Sequence, residues 1–235
     1  MPAVEIATAL LLIIVPLAFN AAFFALGSAF DYPDILRREP DEILRRFHAG
    51  GAGLILRWEA LLLSALAMLP LVALLAVVLA AQPALTALAL VFGSVAALVQ
   101  GLGLVRWPFA VPELARRYVT ADTLPPAEAA AARQSAETTF ATLHRLFGVG
   151  VGEHLGYLFT GLWTLVVSAS ILTTTAVPSW LSVPGVVIGL ALLVGTLEFV
   201  GPNEPQGWKL AGAIVPIAYI AWSIWLIVLG IALVL

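Results

Sequence analysis

Apolar runs over residues 4–29, 54–81, 84–106, 147–176, 185–200 and 209–235 alternate with polar segments over 30–53 and 107–146. Several of these runs reach the ~20 residues that a helix needs to cross a bilayer. The pattern predicts an all-α fold, a polytopic membrane helix bundle of six transmembrane helices with short amphipathic helices between them. Residues 1–235 form a single integral membrane domain in this reading. Pro16, Pro70 and Pro216 fall inside the first, second and last spans, where a missing backbone donor kinks a helix. Asn20 is the one strongly polar side chain of the first span, and its simplest use is an interhelical hydrogen bond.

The polar segment FDYPDILRREPDEILRRFHAGG repeats a small unit: proline and an acid, two aliphatic residues, then paired arginines. Acid at the start and base at the end is the order the helix dipole favours. The unit predicts two short interfacial helices with Ile35, Leu36, Ile43, Leu44 and Phe47 turned inward, stopped at Gly50-Gly51. In the second polar segment, Pro112 to about Thr123 reads as a linker. After it, PPAEAAAARQSAETTFATLHRLFG reads as a helix that leaves the membrane, with Arg133 and Glu137 spaced to pair.

The stretch from His144 to Trp163, HRLFGVGVGEHLGYLFTGLW, concentrates the unusual residues. Glu153 and His154 sit side by side in an apolar run, and ionisable groups at membrane depth mark functional sites by default. At 100° per residue, Gly148, Gly152 and Gly156 share a face, a small-residue ridge for close helix packing. Gly150, His154, Tyr157, Gly161, Thr164 and Ser168 share the opposite, more polar face. Hydroxyls such as Ser168, Ser170 and Thr173 usually bond to the carbonyl one turn back, so that stripe alone does not make a pathway.

Composition agrees with lipid as the solvent: 62% of residues are hydrophobic and 11% charged, against roughly 25% charged in soluble domains. Cysteine is absent, which rules out disulfides, thiolate metal sites and a cysteine nucleophile. The first apolar run lacks a basic lead and is too long for a signal peptide, so it is expected to stay as a membrane helix. The net charge of −3 says little, but the placement of charge says much. Six spans put both termini on one side, and all 11 Lys and Arg residues fall on or near the other. The positive-inside rule then makes the loops cytoplasmic and the termini external.

Four stretches carry a family resemblance: FDYPDILRREPDEILRRFHAGG, RWPFAVPELAR, GVGEHLGYLFTGLW and GTLEFVGPNEPQGWKLAG. Together they resemble an uncharacterised family of bacterial multi-pass membrane proteins, catalogued as a domain of unknown function. The resemblance implies an inner-membrane protein and brings no catalytic residues with it.

Glu59, Gln100, Arg106, Glu153, His154 and Glu198 all fall in the inner third of their spans, while Glu5 is the lone ionisable group at the outer side. The expected result is an apolar outer half and a polar pocket open to the cytoplasm. One reading has this pocket bind or act on a small or amphiphilic ligand, with Glu153, His154 and Glu198 as acid, base or ligand groups and Arg57 or Arg106 holding an anion. A second makes the protein an accessory or regulatory subunit whose cytoplasmic helices contact a protein partner. A third has His48, His144 and His154 bind haem or a divalent metal, although His144 and His154 stand about 15 Å apart along a helix. Transport lacks an inverted repeat or a broken helix pair. Nucleic-acid binding has no support, because the basic residues are interleaved with acids.

Overall fold

The computed structural model describes residues 3–204 and 206–235. Nine α-helices run in chain order among them: α1 Ala3–Phe30, α2 Pro40–Leu66, α3 Met68–Leu79, α4 Pro83–Leu104, α5 Arg106–Thr120, α6 Pro126–Leu143, α7 Gly156–Ile171, α8 Ser182–Gly195 and α9 Lys209–Ala232. A π-helical segment, His144–Leu155, joins α6 to α7. No strand occurs among the described residues, and the molecule is a membrane helix bundle.

Five helical stretches are long and apolar enough to cross a bilayer: Ala3–Phe30, Pro40–Leu79, Pro83–Thr123, Pro126–Ile171 and Lys209–Ala232. Three of these span 40 residues or more, twice the ~20 that hydrocarbon requires, so each carries a polar extension. The remaining apolar helix, Ser179–Gly195, is shorter. It packs closely between its neighbours α7 and α9. Its helical turns stop at Gly195, earlier than the apolar pattern implies, and Glu198 lies in the turns beyond.

The prolines act unequally. The α-helix is interrupted by a turn at Ala67, three residues before Pro70, and α3 starts at Met68. Helices α1 and α9 stay continuous through Pro16 and Pro216. Asn20 does join two helices: its Nδ2 donates to Ser223 Oγ on α9 at 2.9 Å.

The interfacial segment is rearranged relative to its repeat. The first unit forms a single 3-10 turn, Asp34–Arg37, and the second fuses with the following span as α2. Gly51 supplies a kink in place of a stop, at φ +53°, ψ −152°, a left-handed geometry that costs glycine little. Ile35, Ile43, Leu44 and Phe47 are buried as their spacing predicts. Residues 112–120, read as a linker, belong instead to α5. Arg133 pairs with Asp122 rather than Glu137.

Two hydrophobic cores result. The first is aliphatic with three tryptophans, Trp163, Trp222 and Trp225, and joins α1, α3, α4, α7, α8 and α9. The second is aromatic and joins the end of α1 to α2, α5 and α6. At its centre Trp58 and Trp107 stack with centroids 4.2 Å apart and 5° between planes. The basic side chains gather at this second end: Arg46 pairs with Asp31, Arg45 covers Tyr118, and Arg106 lies over Trp107.

Candidate functional site

The π-helical segment builds the site, because it presents two faces to different neighbours. An i→i+5 helix turns less per residue than an α-helix, so residues four apart still stay close to one face. Gly148, Gly152 and Gly156 therefore remain aligned. A methyl group on Gly152 would sit 3.2 Å from the Cα of Gly103, and one on Gly156 would sit 3.2 Å from Gln100 Cγ. One on Gly148 would meet the Arg106 guanidinium at 2.7 Å. The small-residue ridge thus seats the segment directly on α4 and the start of α5.

The other face opens on a cavity of about 220 Å³. Gly150, Glu153, His154 and Tyr157 line it from the π segment and α7, and Arg145 from the segment's first turn. Thr196, Glu198 and Phe199, just beyond α8, close the opposite wall. Glu153, His154 and Glu198, three of the six residues singled out in the sequence, are thereby brought together.

Each polar group has a defined state. His154 Nδ1 lies 2.7 Å from the Thr196 carbonyl oxygen. A carbonyl only accepts, so Nδ1 carries the proton, and in the neutral ring Nε2 is left as an acceptor. Glu198 is 7% exposed and accepts from Arg37 Nη2 at 3.2 Å. Burial raises the Glu198 carboxyl above its ordinary pKa, and the neighbouring Arg37 pulls it back. Arg37 also lies 4.6 Å over the Phe199 ring, and Arg145 lies 5.9 Å from the same ring while pairing with Glu204. The two guanidiniums are both committed. Glu153 differs: it makes no ion pair among the described residues, and its Oε2 is buried with no hydrogen-bond partner. Tyr32 reports the same charges from outside the spans. Burial pushes its hydroxyl up to about 12, Glu153 adds to the shift and Arg106 opposes it.

The other candidates stand apart from the cavity. Gln100 donates to Thr160 Oγ1 at 3.0 Å, tying α4 to α7. Arg106 is buried, donates to the Gly103 carbonyl, and directs Nη2 to His144 Nδ1 at 3.4 Å. Arg57 is exposed on α2. With Arg106 engaged and Arg57 outside the lining, neither is placed to hold an anion in the cavity. Glu59 is partly buried on α2 and lines no part of it. The histidines are dispersed: His48 is exposed, His144 stacks on Phe140 at 5.6 Å, and only His154 reaches the cavity. No group of three or more His, Asp or Glu with metal-holding geometry occurs among the described residues.

Sequence reading missed Arg37, Arg145, Thr196 and Phe199. Arg37 sits in a charge run that looks like a solvated face, and its partner is 161 residues away. The hydroxyl stripe is structural as read: Thr164 and Ser168 each donate to the carbonyl four residues back at 2.7 Å. Thr164 also accepts from Trp222 Nε1 at 2.9 Å. Gly201–Asn203 forms a turn, and Pro205 lies outside the described residues.

A family model described as a domain of unknown function (DUF4386) matches residues 7–230. No curated protein and no solved structure matches the chain.

Proposed function

The chain belongs to the DUF4386 family, and we propose that it is a bacterial inner-membrane protein whose cytoplasm-facing cavity binds a small or amphiphilic ligand. The observation that carries this reading is the cavity itself: about 220 Å³, lined by Glu153, His154, Tyr157 and Glu198. A concave site with a few convergent polar groups is the usual form of a ligand site. The π-helical segment supports it further, since i→i+5 turns cluster at functional sites. Glu153, His154 and Glu198 are the groups available for proton transfer or ligand contact. Lipid covers the apolar exterior, and the basic end faces the cytoplasm in this reading.

Orientation is tested with single cysteines, which the cysteine-free chain allows. Exposed positions Gln82 and Ser179 are expected to react with an impermeant thiol reagent in intact cells, and exposed Ala127 and Gln206 only after permeabilisation. Labelling at Ala127 in intact cells would invert the assignment.

The binding reading is tested by a thermal-shift screen of cytoplasmic metabolites and lipids on the detergent-solubilised protein. A ligand that binds only the folded state adds RT ln(1 + [L]/Kd), about 2.7 kcal/mol at a hundredfold excess over Kd. At least one compound is expected to stabilise the wild type and to lose that effect in Glu153→Gln or His154→Ala. Glu128→Gln, exposed on α6 and outside the lining, should keep it. If nothing shifts the wild type and Glu153→Gln, His154→Ala and Glu198→Gln all unfold readily, the cavity is structural. The accessory-subunit role then stands, and co-purification for a protein partner replaces the screen.

A further inference from the structure

The polar inventory of the cavity is lopsided, and the imbalance specifies a ligand class. The two arginines that could serve an anion are already neutralised, Arg37 by Glu198 and Arg145 by Glu204, and both lie over the Phe199 ring. Arg106 lies outside the lining and directs Nη1 and Nη2 to the Gly103 carbonyl and His144. Glu153 and His154 bring acceptors to the lining. Glu153 lines the cavity and makes no ion pair among the described residues. His154 has its Nδ1 donor on the Thr196 carbonyl, so in the neutral ring its other nitrogen accepts. Tyr157, a third lining residue, adds an aromatic ring, and electron-rich rings attract cations.

A carboxylate without an ion pair is costly in a poorly solvated place, and a cation arriving with a ligand lowers that cost. An anion would meet Glu153 and the His154 lone pair and find no free cation. A protonated amine would give N–H donors to both acceptors and place its charge beside Glu153. Resting on the binding role proposed above, we propose that the cavity takes a small primary amine in its ammonium form, held by Glu153 and His154, with its carbon chain against Tyr157 and Phe199.

A series of equal shape but different charge tests this: n-butylamine, n-butanol and butyrate at pH 7, each titrated into the solubilised full-length protein while thermal unfolding is followed. The expected order places the ammonium first, with Glu153→Gln weakening its apparent affinity at least about tenfold, as loss of one charge-assisted bond implies. His154→Gln should weaken it less, and Glu128→Gln, at an exposed position of α6 away from the lining, not at all. Unfolding of each unliganded variant is measured alongside, so a folding defect is separated from a binding defect. If butyrate or butanol stabilises as strongly as the amine, the ammonium assignment is wrong while the cavity remains a ligand site. An amine shift that survives Glu153→Gln unchanged also overturns it. If none of the three binds, the amine proposal fails, and the wider metabolite screen decides separately whether the cavity binds anything.

Discussion

Replacing Gly103 with alanine is expected to destabilise the bundle by at least about 2 kcal/mol, a typical cost of forcing extra atoms into a filled interface. The added methyl group would stand 2.6 Å from the Gly152 Cα and 2.9 Å from the Phe147 carbonyl oxygen. Both obstacles are backbone, so no rotamer change relieves them, and α4 must separate from the π segment. Helix propensity works the other way, since alanine is favoured over glycine by up to about 1 kcal/mol. Sterics wins because the clash is with main chain on both sides. Gly152→Ala should show the same sign and a smaller effect, its closest neighbours being at 3.1 and 3.2 Å. Gly150 is the internal control. Its nearest obstacle, the Arg145 carbonyl, lies 3.6 Å away, so Gly150→Ala is expected to be neutral or mildly stabilising. Denaturation midpoints in one detergent, for all three variants, decide the point. A Gly103→Ala protein as stable as Gly150→Ala would show that the two backbones do not meet.

The second large effect is expected at the aromatic core. Trp107→Ala should cost about 3–5 kcal/mol, the range for truncating a large buried aromatic. Its ring stacks on Trp58 at 4.2 Å and contacts Phe30, Phe47 and Phe140 at 5.8–6.0 Å, so one residue bridges α1, α2, α5 and α6. Loss of that ring removes the common contact of four helices at the end where the cavity lies. Trp58 gives a sharper comparison. Its indole Nε1 is buried with no hydrogen-bond partner, an arrangement that costs stability in the wild type. Trp58→Phe removes that donor while keeping an aromatic face against Trp107. It is therefore expected to cost much less than Trp58→Ala. Unfolding curves followed by the fluorescence of the remaining tryptophans measure both; equal losses for the Phe and Ala variants would mean that an aromatic face against Trp107 contributes nothing.

The glycine ridge was legible because spacing of four survives a change of helix type. The 100° arithmetic assumed an α-helix, and residues 144–155 adopt a π-helix instead. Gly148, Gly152 and Gly156 nevertheless meet α4 and Arg106, while His154 and Tyr157 face the cavity. The depth argument was coarser. It grouped Glu59, Gln100, Arg106, Glu153, His154 and Glu198 because they share a level in the bundle, and depth carries no azimuth. Gln100 and Arg106 turned toward the helix interface on the opposite side of the segment, and Glu59 stayed on α2.

Hydropathy and residue period are properties of short windows of chain. By itself, therefore, the sequence determined that this is a membrane helix bundle, where the charged end lies, which glycines pack, and that His154 and Tyr157 belong to one polar face. Pairing across long separations is decided only when helices have directions and neighbours. Arg37 finds Glu198, Arg145 finds Glu204, Arg133 takes Asp122 over the nearer Glu137, and Trp58 stacks on Trp107. The cavity belongs to that second class, because its volume is the space left where the π segment and the turns beyond α8 fail to touch, and no single segment of the chain encodes a gap.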